Sequence, residues 1–285
     1  DGLAANRSTS VMGILNGTCN YILTQMERTG RSFDEILEDA QRLGYAEADP
    51  SFDVDGIDTA HKLAILAAVA FGTAVDFKSI EIEGIRNITP VDIHYADELG
   101  YRIKLLGVAR LGPDGLDQRV GPCMVRKTAP LAAVNDVFNA VVVEGDFVER
   151  TVYEGRGAGE GPTASAVVAD LIDVARGNRT PSFSLPVKAM TRAPAAPVDK
   201  RTASYYLHFR VVDRPGVIAS ISELLRDQDI SIENLLQRGE TANGGIDVIL
   251  TTHETGEARI RAALARAAEL PTLVQPPTML PLVKG

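Results

Sequence analysis

Four prolines, Pro181, Pro186, Pro194 and Pro197, fall within residues 181–201, the last two inside the run Ala193-Pro194-Ala195-Ala196-Pro197. A proline lacks the backbone donor and fixes its own φ, so neither a helix nor an interior strand can run through such a stretch. The chain is thereby divided into a unit at residues 1–180 and a unit at residues 202–285, with a Pro/Ala-rich linker at 181–201 between them. With 45% hydrophobic and 24% charged residues among 285, there is apolar material for two cores, and wholesale disorder is excluded. The longest uninterrupted apolar run, residues 63–71, is about half a membrane-spanning helix, so no membrane partner is expected. A formal net charge of −9 offers no broad basic field to a phosphate backbone, which argues against nucleic acid. Cys19 and Cys123 are too few for a disulfide framework and nothing at the start reads as a signal peptide, so a cytoplasmic location is expected. The first residue is Asp1 rather than Met, and a missing upstream segment is part of the expectation.

In the first unit the pattern predicts a short strand over residues 8–15, then Asn16-Gly17-Thr18 and an amphipathic helix to about residue 27. Ser32 with Glu35 is a capping box, and Phe33, Ile36, Leu37, Ala40 and Leu43 keep helical spacing until Gly44. A strongly apolar helix is expected over 58–71, ended by Gly72. Strands at 80–85, 103–111, 117–125 and 140–153 follow, with a short helix after Thr89-Pro90 and a helix over 162–176 that closes the unit. The second unit reads as strand 205–212, helix 215–226, strand 230–238, a turn at Asn243-Gly244-Gly245, strand 246–251, helix 254–270 and a fourth strand within 273–282. That order, βαββαβ, is the ferredoxin-like split motif. The expected fold class is α+β, a mixed sheet with helices on one face followed by a ferredoxin-like unit.

The negative charge is concentrated. Residues 31–58 hold nine acids against Arg31 and Arg42. Those from Asp34 to Asp39 ride on a helix and read as a solvated face. Glu47, Asp49, Asp53, Asp55 and Asp58 lie in what reads as an irregular loop, where clustered carboxylates repel unless a cation, donors or a ligand compensate. Asp58 and Lys62 are four apart on one helix and share a face. An isolated pair of this kind merely supports a helix. Here Lys62 opens a helix whose next nine residues are all apolar, so poorly hydrated surroundings are expected, and more acids are at hand than one pair needs. Burial lowers a lysine pKa and neighbouring acids raise it, and the balance decides whether the group can carry protons.

Competing chemistry is weaker. Ser51-x-Asp53-x-Asp55-Gly56 imitates the start of a calcium loop, but its twelfth position is Lys62, where a bidentate acid should sit. The four histidines, 61, 94, 208 and 253, form no zinc motif, so no metal site is expected. Gly155-Arg156-Gly157-Ala158-Gly159-Glu160-Gly161-Pro162-Thr163 follows a strand and opens a helix, yet Glu160 stands where a dinucleotide fingerprint needs its third glycine. A flexible turn with Pro162 at the first helical position and a backbone cradle for an anion are equally good readings.

Ala40-x3-Gly44-Tyr45-Ala46-x2-Asp49-Pro50-x2-Asp53-Val54-x-Gly56-x-Asp58-x3-Lys62 resembles the signature of homoserine dehydrogenases, with Gly13-Ile14-Leu15-Asn16-Gly17-Thr18 before it and Gly155-Arg156-Gly157-Ala158-Gly159 with Pro162-Thr163-Ala164-Ser165-Ala166 after it. The second unit is similar to an ACT domain, with Asp213-Arg214-Pro215-Gly216-Val217 at its first strand-to-helix turn. The resemblance covers essentially the whole chain. It implies NAD(P)-linked interconversion of L-homoserine and L-aspartate 4-semialdehyde, on the route to threonine, methionine and isoleucine. It implies Lys62 as the proton donor and acceptor and Asp58 as its orienting acid. Glu47, Asp58 and Asp53 are implied as substrate-binding acids, Tyr45, Gly17 and Thr18 as pocket-lining positions, and Gly159 as a cofactor contact. It also implies a homodimer or homotetramer and an ACT regulatory unit sensing threonine, with Gly216 and Asn234 near the effector. The family's Rossmann domain, which carries the main NAD or NADP site, is not represented, so the chain is expected to be inactive by itself. The alternative is a non-catalytic amino-acid sensor in which the first unit only scaffolds a dimer for the ACT domain. A pure scaffold has no need to keep Glu47, Asp53, Asp58 and Lys62 together, which favours the dehydrogenase.

Overall fold

The computed structural model of the chain describes residues 2–179, 181, 183, 185–238 and 245–283. β1 (Ser8–Ile14) runs through Asn16 into α1 (Gly17–Thr29), and α2 (Phe33–Arg42) begins on the expected Ser32–Glu35 capping box. The acidic segment is not wholly irregular. It contains one turn of helix, α3 (Ser51–Val54), in which Asp53 N and Val54 N donate to Pro50 O; four residues are too few to display a period in sequence. α4 (Ile57–Phe71) ends at Gly72, followed by β2 (Glu81–Ile82) and by α5 (Pro90–Glu98), which starts on a Thr89–Asp92 capping box. β3 (Tyr101–Gly112) and β4 (Gly115–Arg126) form a long hairpin, and α6 (Pro130–Ala133) follows.

Residues 140–153, expected as one strand, are instead the two arms of a hairpin, β5 (Phe138–Gly145) and β6 (Glu149–Arg156). Glu149 takes a φ of 59°, and the turn carries Phe147 in solvent, 84% exposed, so apolar residues at the bend hide it in the sequence pattern. α7 (Glu160–Ala175) starts two residues before Pro162 and, contrary to expectation, closes nothing within this chain. None of its residues is buried, and Val168, Leu171 and Val174 stand in solvent. The second unit comprises β7 (Thr202–Val211), α8 (Val217–Asp227), β8 (Ile232–Arg238), β9 (Ile246–Thr252), β10 (Thr255–Gly256), α9 (Glu257–Ala267) and β11 (Thr278–Val283). Of the turn expected at Asn243-Gly244-Gly245, Asn243 and Gly244 lie outside the described residues.

The strands join into one mixed sheet in the order β6-β5-β1-β3-β4-β11-β7-β9-β8. β11-β7-β9-β8 is the ferredoxin-like arrangement, and its outer strand β11 continues onto β4 in parallel, with Leu282 and Val283 opposite Met124 and Val125. The residues around Pro194 are pinned rather than loose: Leu116 N donates to Pro194 O at 2.8 Å and Ala196 N to Leu116 O at 3.0 Å.

Alternation along the strands sorts the cores. Val11, Leu105, Ala109 and Val120 face the long helices, where Ile22, Met26, Ile36, Leu63, Ala64 and Tyr95 complete the main core. Met12, Ile14, Leu106, Val108 and Val125 face the other way and are closed by Leu131 and Ala132 of α6. α8 and α9 lie on this second side of the ferredoxin-like strands, over Tyr205, Leu207, Phe209 and Val248. Burying a large aliphatic or aromatic side chain is worth roughly 1.5–3 kcal/mol, so these three clusters dominate stability. Lys104 on β3 is a buried lysine on the strand. Its Nζ donates to Val134 O at 2.6 Å and Asn20 Oδ1 at 3.1 Å, both neutral, and burial brings its pKa down to about 8.

α5 ties the two units together across the sheet. Asp92 on α5, 0% exposed, accepts from Tyr206 Oη at 3.1 Å and lies 2.8 Å from His208 Nδ1; His208 Nε2 lies 3.0 Å from Asp247 Oδ1, which also accepts from Arg210 Nε. Desolvation pulls the His208 pKa down, but the two carboxylates outweigh it and the net shift is upward. Among the described residues, no helix is long and apolar enough to cross a membrane.

Candidate active site

The chain enters α4 through Gly56, whose φ is 84° and whose absent Cβ would meet Val120 Cγ1 at 3.1 Å and Glu83 O at 3.2 Å. Only glycine fits that left-handed, closely backed position without strain. The helix thus starts hard against the sheet, with Asp58 in its first turn and Lys62 one turn later. Its apolar side, with Ala60, Leu63, Ala64 and Ala67 buried, fixes the opposite face toward the end of β1. There Lys62 Nζ donates to Asp58 Oδ2 at 2.6 Å and to the carbonyl of Leu15 at 3.0 Å.

Asn16, the next residue and 5% exposed, organises the acids. Its Oδ1 accepts from Cys19 N at 2.8 Å, capping α1, while its Nδ2 donates to Asp53 Oδ1 at 2.7 Å and Asp58 Oδ2 at 2.9 Å. Both amide hydrogens are used, and two carboxylates separated in sequence are held by one neutral group. Cys19 Sγ donates to Asp53 O at 3.2 Å; burial first, then Asp53 and Asp58, push its thiol pKa far up, so it is a structural thiol rather than a nucleophile. Asp55 turns away to Arg86, whose Nε donates to Asp55 Oδ1 at 2.5 Å.

The surroundings of Lys62 are wetter than its sequence context suggests. Its side chain is 49% exposed, because the apolar run after it packs on the other face of α4. Two of its three N–H donors are used among the described residues. Tyr45 stands beside Tyr21, ring centroids 4.7 Å apart, and its carbonyl accepts from Thr18 Oγ1 at 2.9 Å, so Thr18 and Tyr45 are in contact two residues beyond Asn16 on α1. Gly17 sits where a Cβ would approach Val137 O at 3.1 Å. Glu47 is exposed, and its side chain makes no hydrogen bond or ion pair among the described residues.

Gly159 is the residue before α7, with a φ of 108°, and a Cβ there would stand 3.9 Å from Pro162 Cδ. Gly216 precedes α8 with nothing within 4 Å of its would-be Cβ. Asn234 donates to Thr251 Oγ1 at 2.9 Å and lines a cavity of about 300 Å³ with Arg126 and Glu233, a cavity that Gly216 does not line. Among the described residues no group of three or more His, Cys, Asp or Glu is placed to hold a metal ion.

Asn16 is the residue that sequence reading passed over. Its place before Gly17-Thr18-Cys19 marks a helix cap, but nothing local announces that its amide reaches Asp53 and Asp58. Replacing Asn16 with Ala is expected to cost about 2 kcal/mol in urea unfolding, combining the lost cap with the lost charged hydrogen bonds. Asn16→Asp keeps a capping oxygen but sets a third negative charge between two others, so it should be no more stable than Ala. An Asp variant as stable as the parent would show that the amide does not hold these acids.

Similarity to known proteins agrees with this geometry. The homoserine dehydrogenase family profile matches residues 1–172, and the ACT domain profile matches residues 205–271. Homoserine dehydrogenase of Pseudomonas aeruginosa is 47% identical over 272 residues, covering 93% of this chain and 63% of that protein. The Neisseria gonorrhoeae homoserine dehydrogenase is 44% identical over 286 residues, covering 98% of this chain and 66% of that protein. A crystal structure of a homoserine dehydrogenase from Thiobacillus denitrificans superposes with a TM-score of 0.92 at 44% identity, covering 99% of this chain and 66% of that one. The chain therefore spans slightly under two thirds of the length of these relatives. With Asp53, Asp58 and Lys62 brought together where α4 begins and a ferredoxin-like unit carried on the same sheet, the chain belongs to the homoserine dehydrogenase family and bears an ACT domain.

Proposed function

We propose that the chain forms the substrate-binding, dimerisation and regulatory part of an enzyme that interconverts L-homoserine and L-aspartate 4-semialdehyde. The observation that carries this is the Lys62–Asp58–Asn16–Asp53 cluster, an ammonium and two acids fixed by one amide. In the reducing direction the third N–H of Lys62 donates to the aldehyde oxygen as that oxygen gains charge; in the oxidising direction Lys62 takes the hydroxyl proton as hydride leaves the carbon. Asp58 and the Leu15 carbonyl hold Nζ in place for both. Asp53 and Asp58, with Glu47 from the open side, bind the substrate ammonium, and Tyr45, Gly17 and Thr18 border its carbon chain.

A bound nicotinamide, NAD or NADP, would supply or accept the hydride. No GxGxxG occurs in these residues, and we place the main cofactor site in a nucleotide-binding domain outside them. Gly159 fits an edge contact: exposed backbone at positive φ at a helix start, with only Pro162 Cδ, at 3.9 Å, near its would-be Cβ. Residues 1–180 are read as the substrate and dimerisation unit and 202–285 as the regulatory unit, with threonine as its effector near Gly216 and Asn234 and a homodimer or homotetramer as the assembly. The test is homoserine oxidation by the protein at the full length of its relatives, before and after replacement of Lys62.

A further inference from the structure

A cavity of about 820 Å³ lies where β2 and β4 of the first unit face β7, α9 and β11 of the second. Most of the charges around it satisfy one another. Arg201 pairs with Glu81 and with Asp117, and Arg261 pairs with Glu81 and Glu257. Three groups are left over. Glu83, an exposed residue at the edge of the cavity, makes no side-chain hydrogen bond or ion pair among the described residues, and desolvation raises its pKa. Among the described residues Arg119 reaches an anion only at 3.8 Å, Glu257 Oε2, and its buried Nε has no partner. The hydroxyl of Tyr205, a residue 0% exposed, is likewise buried without a partner among the described residues, and it lies close enough to Glu257 and Arg119 to feel both charges. A fully buried hydroxyl without a hydrogen bond is costly in a native core unless something else completes it.

The unmatched set is thus one carboxylate, one guanidinium and one hydroxyl, which is the complement of an α-amino acid: an ammonium, a carboxylate and the room between them. Pro276, Pro277, Met279 and Pro281 supply an apolar wall. We propose that this junction cavity binds a free α-amino acid with an apolar side chain, its carboxylate on Arg119, its ammonium on Glu83 and the Tyr205 hydroxyl completing the shell. The site is separate from the Lys62 cluster and from Gly216 and Asn234.

An occupant would press on the strand that backs the acidic segment. Glu83 N donates to Val120 O and Ile85 N donates to Val54 O, each at 2.9 Å, and a Cβ on Gly84 would fall 2.3 Å from Val54 O. Movement of Glu83 is therefore felt at Val54, one residue from Asp53 and four from Asp58.

The test is isothermal titration of the 285-residue chain with L-valine, L-isoleucine and L-methionine, alongside N-acetyl-L-isoleucine and L-isoleucinamide. At least one free amino acid should bind once per chain, and blocking either end should weaken binding about tenfold or more. Glu83→Gln should weaken it about tenfold or more and Tyr205→Phe about fivefold. Neither removes a contact that the empty protein makes, so both should fold normally, and Asn234→Ala should leave binding unchanged. The proposal is overturned if none of the three binds at millimolar concentration. It is equally overturned if binding survives Glu83→Gln and Tyr205→Phe intact, or is lost in Asn234→Ala while both of those variants bind.

Discussion

Replacing His208 with Leu is expected to lower the stability of the chain by about 3–5 kcal/mol, the usual cost of removing one partner from a buried charge pair. Asp92 and Asp247 would remain in the core at 0% and 4% exposure, supported only by Thr89 and Tyr206 on one side and Arg210 on the other. The pH dependence follows from hydrogen-bond chemistry. Both ring nitrogens of His208 lie against carboxylate oxygens, and only the imidazolium can donate to both at once. Because its folded pKa is raised, the stabilisation is full below the ordinary histidine value near 6.5 and fades as pH climbs through the folded value. Asp92 and Asp247 are shifted downward, so their share is present above the ordinary carboxylate range and fades as pH falls through their folded values. Thermal unfolding of parent and variant should therefore differ most in mildly acidic buffer and converge toward alkaline pH. A difference that stays constant from acid to alkali would mean the ring is neutral throughout.

The second large effect is on catalysis. In the protein at the full length of its relatives, Lys62→Ala should lower kcat for homoserine oxidation by about a hundredfold or more, the usual contribution of a positioned proton-transfer group. KM should move little, since binding is assigned to Asp53, Asp58 and Glu47. Stability should hardly change: the Lys62 side chain is half exposed, and such ion pairs are worth about 0–1 kcal/mol. Asn16→Ala separates positioning from chemistry, because it leaves the lysine in place but releases Asp58, so its kcat loss should be smaller. If Lys62→Ala retains kcat within a few-fold, the proton is carried elsewhere and the role assigned to this lysine fails.

Local signals were legible and distant ones were not. The capping box at Ser32, the helix start at Thr89-Pro90, the stop at Gly72 and the Asp58–Lys62 pair all lie within one turn of helix, where sequence spacing translates directly into space. The hairpin at residues 145–149 escaped because Phe147 and Val148 sit where a turn usually places small polar residues. The burial of Lys104 and, among the described residues, the unpartnered state of Tyr205 depend on neighbours far along the chain, and a strand pattern alone gives no hint of either. The same holds for Asn16, whose amide bridges acids 37 and 42 residues away.

β11 belongs to two bodies at once. Leu280 and Leu282 pack with the helices of the first unit, and Met279 packs with α8 and α9 of the second. Its backbone is hydrogen-bonded to β7 on one edge and to β4 on the other. An ACT unit attached in this way cannot swivel like a bead on a string; it can only shear or twist the shared pleat. Any motion that passes between the two units must travel as strain through a common ribbon.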